Sequence, residues 1–439
     1  MTRDLGQWQR ASRYLPGGVC ASARIHKGLE GPVYLSHGEG SKVYDLAGNE
    51  YVDLCTSFGS ALLGHAHPKV RQALGQALDA GLICAHEHEW HARLAQRIAE
   101  AVPAIEMLRF TMSGTETTYY AVKLAREYTG RRLVVKFEGH FHGFNDYLAY
   151  NYWPSADGAW PRVTPAAAGM PEDGQRGCIV LPFNDVARAE ETLVRRGHEI
   201  AAVILEPVNY NSGTLLPEDG YLHLLRRLTE EQGSLLIFDE ILSGFRTGPG
   251  CMQSTYGVIP DLCTLGKAVG GGMPLSLFGG KRAIMEHVAP LGQAQHSGTY
   301  NGHLSAIAGG LAFFETIGER GCYEKLLARC QRLYAGIDEI VGRLGFPARV
   351  QGLGARFSIL FGPPAGRRTR QYQDVIDNDW PLFHRFCAAC MDHGVYLHTM
   401  WHHGISTAHS DGDVDRALEG IEAAFRDVLA GSSKEIGER

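Results

Sequence analysis

Three short apolar runs end in charged side chains. Leu235-Leu236-Ile237-Phe238 runs into Asp239 and Glu240, and Ala202-Val203-Ile204-Leu205 runs into Glu206. Leu262-Cys263-Thr264-Leu265 leads through Gly266 to Lys267, with Gly270-Gly271-Gly272 just beyond. Such runs read as buried parallel strands whose carboxyl ends open on a site. A carboxylate at the end of an apolar strand must be paired or reach solvent. A lysine that acts as a nucleophile must be neutral part of the time, and Thr264, Leu265, Ala268 and Val269 offer the apolar setting that allows it. An acid at one strand end and a lysine beside another suit pyridoxal phosphate, which needs an amine for its aldehyde and a carboxylate for its pyridinium nitrogen.

Each of these residues also has a plainer reading. Lys267 fits a surface lysine in a glycine-rich loop, although a P-loop is ruled out because position 261 is Asp and Ala268 replaces the metal-binding hydroxyl. Asp239 fits a helix N-cap, and Glu206, before Pro207, fits an acid that merely ends its strand. Ser113-Gly114-Thr115, between a strand and a helix, reads either as a phosphate cup of amides, hydroxyls and helix dipole or as an ordinary capping box. Phe141, next to His142, is placed either to stack on a planar ring or to pack as a loop aromatic. His86, His88 and His91 have loosely metal-like spacing, but His86 and His88 lie two apart, off one helical face, with no further ligand set evident, and they read as a solvated or substrate-side loop. Cys387 and Cys390 form a lone CxxC inside a helical pattern and read as buried helix cysteines. Gly270-Gly271-Gly272 does not continue into a dinucleotide fingerprint.

The elements that must hold these residues alternate along the middle of the chain. Strands are expected at 107–111, 133–137, 179–181, 202–205, 235–238, 262–265 and 275–278, with helices between most of them, which predicts a mostly parallel seven-stranded sheet flanked by helices. A small N-terminal sheet is expected around the Gly48-Asn49 turn, and a smaller α+β domain after about residue 305. The expected division is 1–60 as an N-terminal segment packing with the C-terminal domain, 61–305 as the large cofactor-binding domain and 306–439 as the small one. The 439 residues carry a formal charge of −6 with no basic tract, so neither nucleic acid nor an anionic membrane is an expected partner. No apolar run reaches the ~18 residues of a membrane span. With ten cysteines and no apolar leader, a cytoplasmic protein with reduced thiols is expected.

As a set, GHAHP (64–68), MLRFTMSGTETT (107–118), KFEGHFHG (136–143), AAVILEPV (201–208), LLIFDEILSGFR (235–246), PDLCTLGKAVGGGMP (260–274) and SGTYNGH (297–303) resemble the class III, fold type I, pyridoxal-phosphate aminotransferases. The likeness is greatest to their glutamate-semialdehyde aminomutase branch. The resemblance implies that Lys267 forms the Schiff base and then moves the proton, and that Asp239 holds the pyridinium. It further implies that Ser113, Gly114 and Thr115 hold the phosphate, with Phe141 and His142 beside the ring. Thr299 would reach the phosphate of a partner subunit's cofactor, so a homodimer is implied. Glu206 and Asn211 line the site in this scheme, and Arg24 matches an arginine that binds a substrate carboxylate.

Several positions depart from that pattern. Phe141 stands where the family usually has a tyrosine, so stacking survives and the phenol is lost. Trp401 stands where the aminomutase branch has a glutamate, and Ala21 replaces a serine. With Phe58, Trp401 suggests an aromatic substrate wall and a bulky or aromatic amino donor. The expected reaction is therefore transfer of an amino group from an amino acid or amine to a 2-oxo acid through pyridoxamine phosphate, with aminomutation as the alternative.

Overall fold

The computed structural model describes residues 5–81, 85–171, 173–362 and 369–437. The chain forms two compact units, residues 68–320 with 368–376 in one and residues 1–67, 321–367 and 377–439 in the other. These divisions fall at 67 and 320, where the sequence suggested 60 and 305.

The 68–320 unit is built on seven strands: β1 (Met107–Thr111), β2 (Leu133–Phe137), β3 (Cys178–Leu181), β4 (Ile200–Leu205), β5 (Leu235–Glu240), β6 (Leu262–Leu265) and β7 (Ser276–Gly280). Their order across the sheet is β1-β7-β6-β5-β4-β2-β3. All pairings from β3 to β6 are parallel, whereas β7 runs antiparallel to both β6 and β1. Phe238 pairs with Leu205, and Asp239 pairs with Thr264. The carboxyl ends of β4, β5 and β6 therefore stand side by side, because apolar runs of similar length enter the sheet in matching register. Every residue of β4, β5 and β6 is buried, which is why these strands show no polar alternation.

Helices α1 (Pro68–Asp79), α2 (Glu89–Ala101), α3 (Gly114–Thr129), α4 (Val186–Arg196), α5 (Tyr221–Gln232) and α6 (Leu304–Ile317) accompany the sheet. Helix α3 starts on the Ser113 cap and ends at Gly130, whose φ of 67° is the left-handed conformation that glycine adopts without strain. Its Ala121, Val122, Leu124 and Ala125 pack with Val134, Ile204, Ile237 and Phe278 of the sheet. Each such large apolar side chain contributes about 1.5–3 kcal/mol when fully buried. Helix α6 folds with this unit because Leu304 and Ala308 pack against Ala77 of α1 and Trp90 of α2. It also touches the glycine run after β6: a Cβ on Gly309 would stand 2.5 Å from Gly270 O, and one on Gly271 would stand 2.7 Å from Gly309 O. The triple glycine thus permits a helix to approach a turn, a packing role that its lack of a nucleotide fingerprint left open.

The other unit holds a four-stranded sheet in the order Val395–Tyr396, Glu50–Asp53, Lys42–Asp45, Leu35–Glu39. A three-stranded sheet follows the order Ala348–Leu353, Arg356–Phe361, His403–Gly404. Ser41 Oγ donates to Asp413 Oδ2 at 3.0 Å, fastening N-terminal strands to the last helix, Asp411–Gly437. Among the described residues, no helix is long and apolar enough to cross a membrane.

Candidate functional site

The two acids on the neighbouring ends of β5 and β4 are both buried and both held by hydrogen-bond donors. Asp239 Oδ1 accepts from Thr264 Oγ1 at 3.0 Å, and Asp239 Oδ2 lies 2.7 Å from His142 Nδ1. Burial lowers the pKa of His142 more than the Asp239 charge raises it, so the imidazole is neutral and its Nδ1–H is the donor. Glu206 Oε1 accepts from the Phe141 amide and Oε2 from Asn211 Nδ2, each at 2.7 Å. Burial, and then the neighbouring Asp239 charge, push Glu206 up to about 8, while its two donors and the Lys267 charge pull the other way. At neutral pH Glu206 therefore holds its proton.

Lys267 opens a short turn after β6 with φ at 49°, a left-handed conformation that is uncommon for a side chain of this size. Strain of this kind, about 1–3 kcal/mol, persists only where the surroundings fix it. Ile241 does part of that work. A Cβ on Gly114 would stand 2.7 Å from Ile241 Cδ1, and one on Gly266 would stand 3.3 Å from Ile241 Cγ2. One isoleucine beyond β5 thus touches both the start of α3 and the residue before Lys267. A Cβ on Gly143, where φ is 84°, would stand 2.5 Å from Thr115 Oγ1. The phosphate-cup candidate, the Phe141–Gly143 loop, Asp239 and the Lys267 turn therefore meet at one end of the sheet.

Ser113 is exposed and its Oγ accepts from the Glu116 amide at 3.3 Å, which is the capping contact that its position allowed. Thr115 Oγ1 accepts from the Phe144 amide at 3.3 Å. Both hydroxyls stand at the positive end of the α3 dipole, so the cap and an anion site are compatible. Thr299 is exposed in the single chain, and its loop is tethered by Asn301 Nδ2 donating to Glu116 Oε1 at 3.0 Å.

The remaining expected residues lie in the other unit. Arg24 is exposed, with no side-chain carboxylate holding it among the described residues. Phe58 is half-buried, its ring edge-on to His398 at 4.7 Å and to His402 at 5.0 Å. Thr56, Ser57 and Phe58 have successive φ values of 49°, 50° and 54°, held in part by the Thr56 amide on the Asp239-like strand-end acid Asp53 at 3.1 Å. Trp401 does not form the substrate wall expected of it. Its side chain is enclosed at 1% exposure, with Nε1 donating to Ile359 O at 3.1 Å and the ring centroid 4.6 Å from Trp380. It is a core residue because its indole finds an internal partner and an aromatic neighbour.

The sequence reading overlooked several residues around Asp239. Thr264 was read only as part of the apolar setting of Lys267, whereas its register opposite Asp239 gives its hydroxyl to that carboxylate. Thr118 Oγ1 donates to His142 O at 2.6 Å, one helical turn into α3. His140 Nδ1 accepts from the Glu206 amide at 3.0 Å, and burial keeps its pKa well below the ordinary histidine value. Lys136, fully buried in β2, donates to His140 O at 2.9 Å and to Tyr150 O, while burial pulls it down to about 8. A lysine inside an apolar strand was the one visible signal for this last contact. Glu240, by contrast, serves the fold: it accepts from the Met252 amide at 2.7 Å and from Gln253 Nε2 at 3.0 Å. His88 and His91 cap α2, and His91 Nε2 lies 2.6 Å from Gly302 O. Cys387 and Cys390 are buried in the helix Trp380–Asp392.

This donor set fits pyridoxal phosphate. A buried acid is fixed by a neutral imidazole and a hydroxyl, a helix N-terminus with two hydroxyls stands beside it, and a lysine is held in a constrained turn. Residues 25–425 match the family model described as Aminotransferase class-III. A curated glutamate-1-semialdehyde 2,1-aminomutase of Desulforudis audaxviator (strain MP104C) is 39% identical over 98% of this chain and 100% of its own length. The crystal structure of an omega-transaminase from Sphaerobacter thermophilus superposes with a TM-score of 0.91 at 31% identity, covering 97% of each chain. A transaminase solved with PLP bound superposes with a TM-score of 0.89 at 27% identity, over 97% of this chain and 98% of that one.

Proposed function

The chain belongs to the class-III aminotransferase family, is a fold type I enzyme and depends on pyridoxal phosphate, and from that premise we propose that it transfers an amino group from an amino acid or amine, bulky or aromatic in character, to a 2-oxo acid. The observation that supports this reading most is the meeting of Asp239, the α3 N-terminus and the Lys267 turn around Ile241. When bound, the cofactor supplies an aldehyde and an electron-poor ring that accommodates the charge left on a substrate carbon. Lys267 would supply the amine that holds that aldehyde, and its amine, once released, would serve as the base for a proton on the substrate carbon. Asp239, kept in place by His142 and Thr264, holds the pyridine nitrogen protonated. Ser113, Gly114 and Thr115 bind the phosphate, and Phe141 covers the ring. Glu206, Asn211 and His142 maintain the walls. Arg24 binds a carboxylate of the donor or the acceptor, and Phe58 contacts its side chain. Thr299, exposed in one chain, completes the phosphate site of the partner subunit in a homodimer. The nine described cysteines are free thiols, in keeping with work in the cytoplasm.

A second reading, intramolecular amino transfer as in the aminomutases, is favoured by the curated relatives, whose 39% identity spans almost the whole chain. Against it stands position 401, where the branch's glutamate is replaced by a tryptophan sealed into a core. The two readings separate in one experiment. Purified holoenzyme is mixed with aliphatic, aromatic and β-amino donors, and the loss of visible absorbance is followed by addition of pyruvate or 2-oxoglutarate. Transfer between molecules predicts bleaching by a donor and recovery on adding the keto acid. Turnover of glutamate 1-semialdehyde with no added keto acid, and no response to any donor–acceptor pair, would replace transfer by aminomutation.

A further inference from the structure

The loop after β2 leaves the sheet at Glu138 and returns to its starting neighbourhood at Trp153. Near its start, the Phe141 amide is fixed on Glu206 Oε1 at 2.7 Å. Near its end, Trp153 Nε1 donates to Asn211 O at 3.2 Å and to Ser212 Oγ at 3.3 Å. Asn211 itself donates to Glu206, so both ends of the loop are pinned to the segment that follows β4. Lys136 holds the carbonyls of His140 and Tyr150 beneath it. Asn151, with φ at 46°, donates through Nδ2 to Glu138 Oε1 at 3.2 Å.

Tyr152 is thereby fixed from both sides. Its ring centroid lies 4.4 Å from that of Phe141 and 5.7 Å from that of Trp153. Its hydroxyl makes no hydrogen bond among the described residues, although the side chain is half-buried. Tyr372 of the same unit, in contrast, donates its hydroxyl to Pro154 O at 3.0 Å. Tyr152 Oη is not sealed from solvent, as the unpartnered hydroxyl of Tyr150 is, so it stays open to a ligand. Its surroundings, burial first, push the Tyr152 phenol up, so it remains a protonated donor. Both oxygens of Glu206 are already taken, by the Phe141 amide and by Asn211 Nδ2. An acceptor is the complement that such a corner lacks.

We propose that Tyr152 is a specificity-determining residue of this site, its phenol donating a hydrogen bond to a carboxylate of the bound amino compound. This deepens the amino-transfer reading and rests on it for the kind of ligand bound. Phe141 offers no hydroxyl, so the phenol is delivered from eleven positions later in the chain, at the far end of a loop that both residues share.

The test compares wild-type and Tyr152→Phe holoenzyme with two carbonyl reagents, aminooxyacetate, which carries a carboxylate, and methoxyamine, which does not. Melting temperature and cofactor affinity are measured alongside. The expected result is a fall of about tenfold in the rate with aminooxyacetate, an unchanged rate with methoxyamine, and unchanged melting and cofactor affinity. A crystal structure with aminooxyacetate should place Tyr152 Oη within hydrogen-bond distance of the reagent's carboxylate. Equal slowing with both reagents, no slowing with aminooxyacetate, or a loss of cofactor affinity would each overturn the assignment. A wild-type enzyme that reacts with both reagents yet turns over no amino compound would sink the amino-transfer reading while leaving the Tyr152 result standing.

Discussion

The strand-end region around Asp239 and the turn around Phe58 are both constrained, but by different means. Around Asp239 the fixing agents are polar: carboxylates, a hydroxyl, an amide and neutral imidazoles, each with a partner within 3.0 Å. Around Phe58 they are rings and backbone: three consecutive left-handed residues, two imidazole edges and, further along the chain, an indole enclosed in the core. A polar site of the first kind can hold a charge in one protonation state. A region of the second kind can hold a shape, and shape suits the selection of a substrate side chain. The difference suggests that changes in the first region alter whether the reaction occurs, and changes in the second alter stability and choice of substrate.

Three measurements would break or sharpen this contrast. The largest effect is expected at Lys267→Ala, with turnover falling roughly 10⁴-fold and the visible band lost, while the melting temperature of the apoprotein changes little. Retained turnover would show that the polar region is scaffolding. Next is Trp401→Ala, which should lower unfolding stability by about 3–5 kcal/mol in denaturant titration, because a large buried ring and its hydrogen bond to Ile359 are removed. A variant of normal stability but altered donor preference would return Trp401 to the substrate wall.

The smallest effect concerns Glu206 in the apoprotein. Burial raises it from 4.5 to about 8, so between those values the native chain holds a proton that the unfolded chain has released. Its stabilising contribution is therefore complete below pH 4.5 and is lost as pH rises through about 8. Relative to Glu206→Gln, the wild-type protein should lose stability by at most about 1.4 kcal/mol per pH unit across that window. A pH-independent difference would show that Glu206 is ionised in the native state.

The residues proposed for cofactor chemistry were legible because each belongs to a short string that ends a strand or starts a helix. The sheet was legible for the same reason, although the antiparallel direction of β7 was not, since Leu275–Phe278 reads the same either way. Thr264, Thr118 and Ile241 were missed because their roles arise from strand register and from the crossing of a helix over a strand end. Those relations join residues more than twenty positions apart. Trp401 was misread for a related reason. Its partners, Ile359 and Trp380, are supplied by a strand and a helix whose mutual packing leaves no local pattern in the sequence.

The glycine pair at 309 and 310 carries a consequence for protein engineering. Even a methyl group at 309 would act as a wedge against Gly270 O and lever the lysine turn off its bed. Libraries aimed at new donors should therefore leave that inner helix face unmutated and place their diversity at Tyr152.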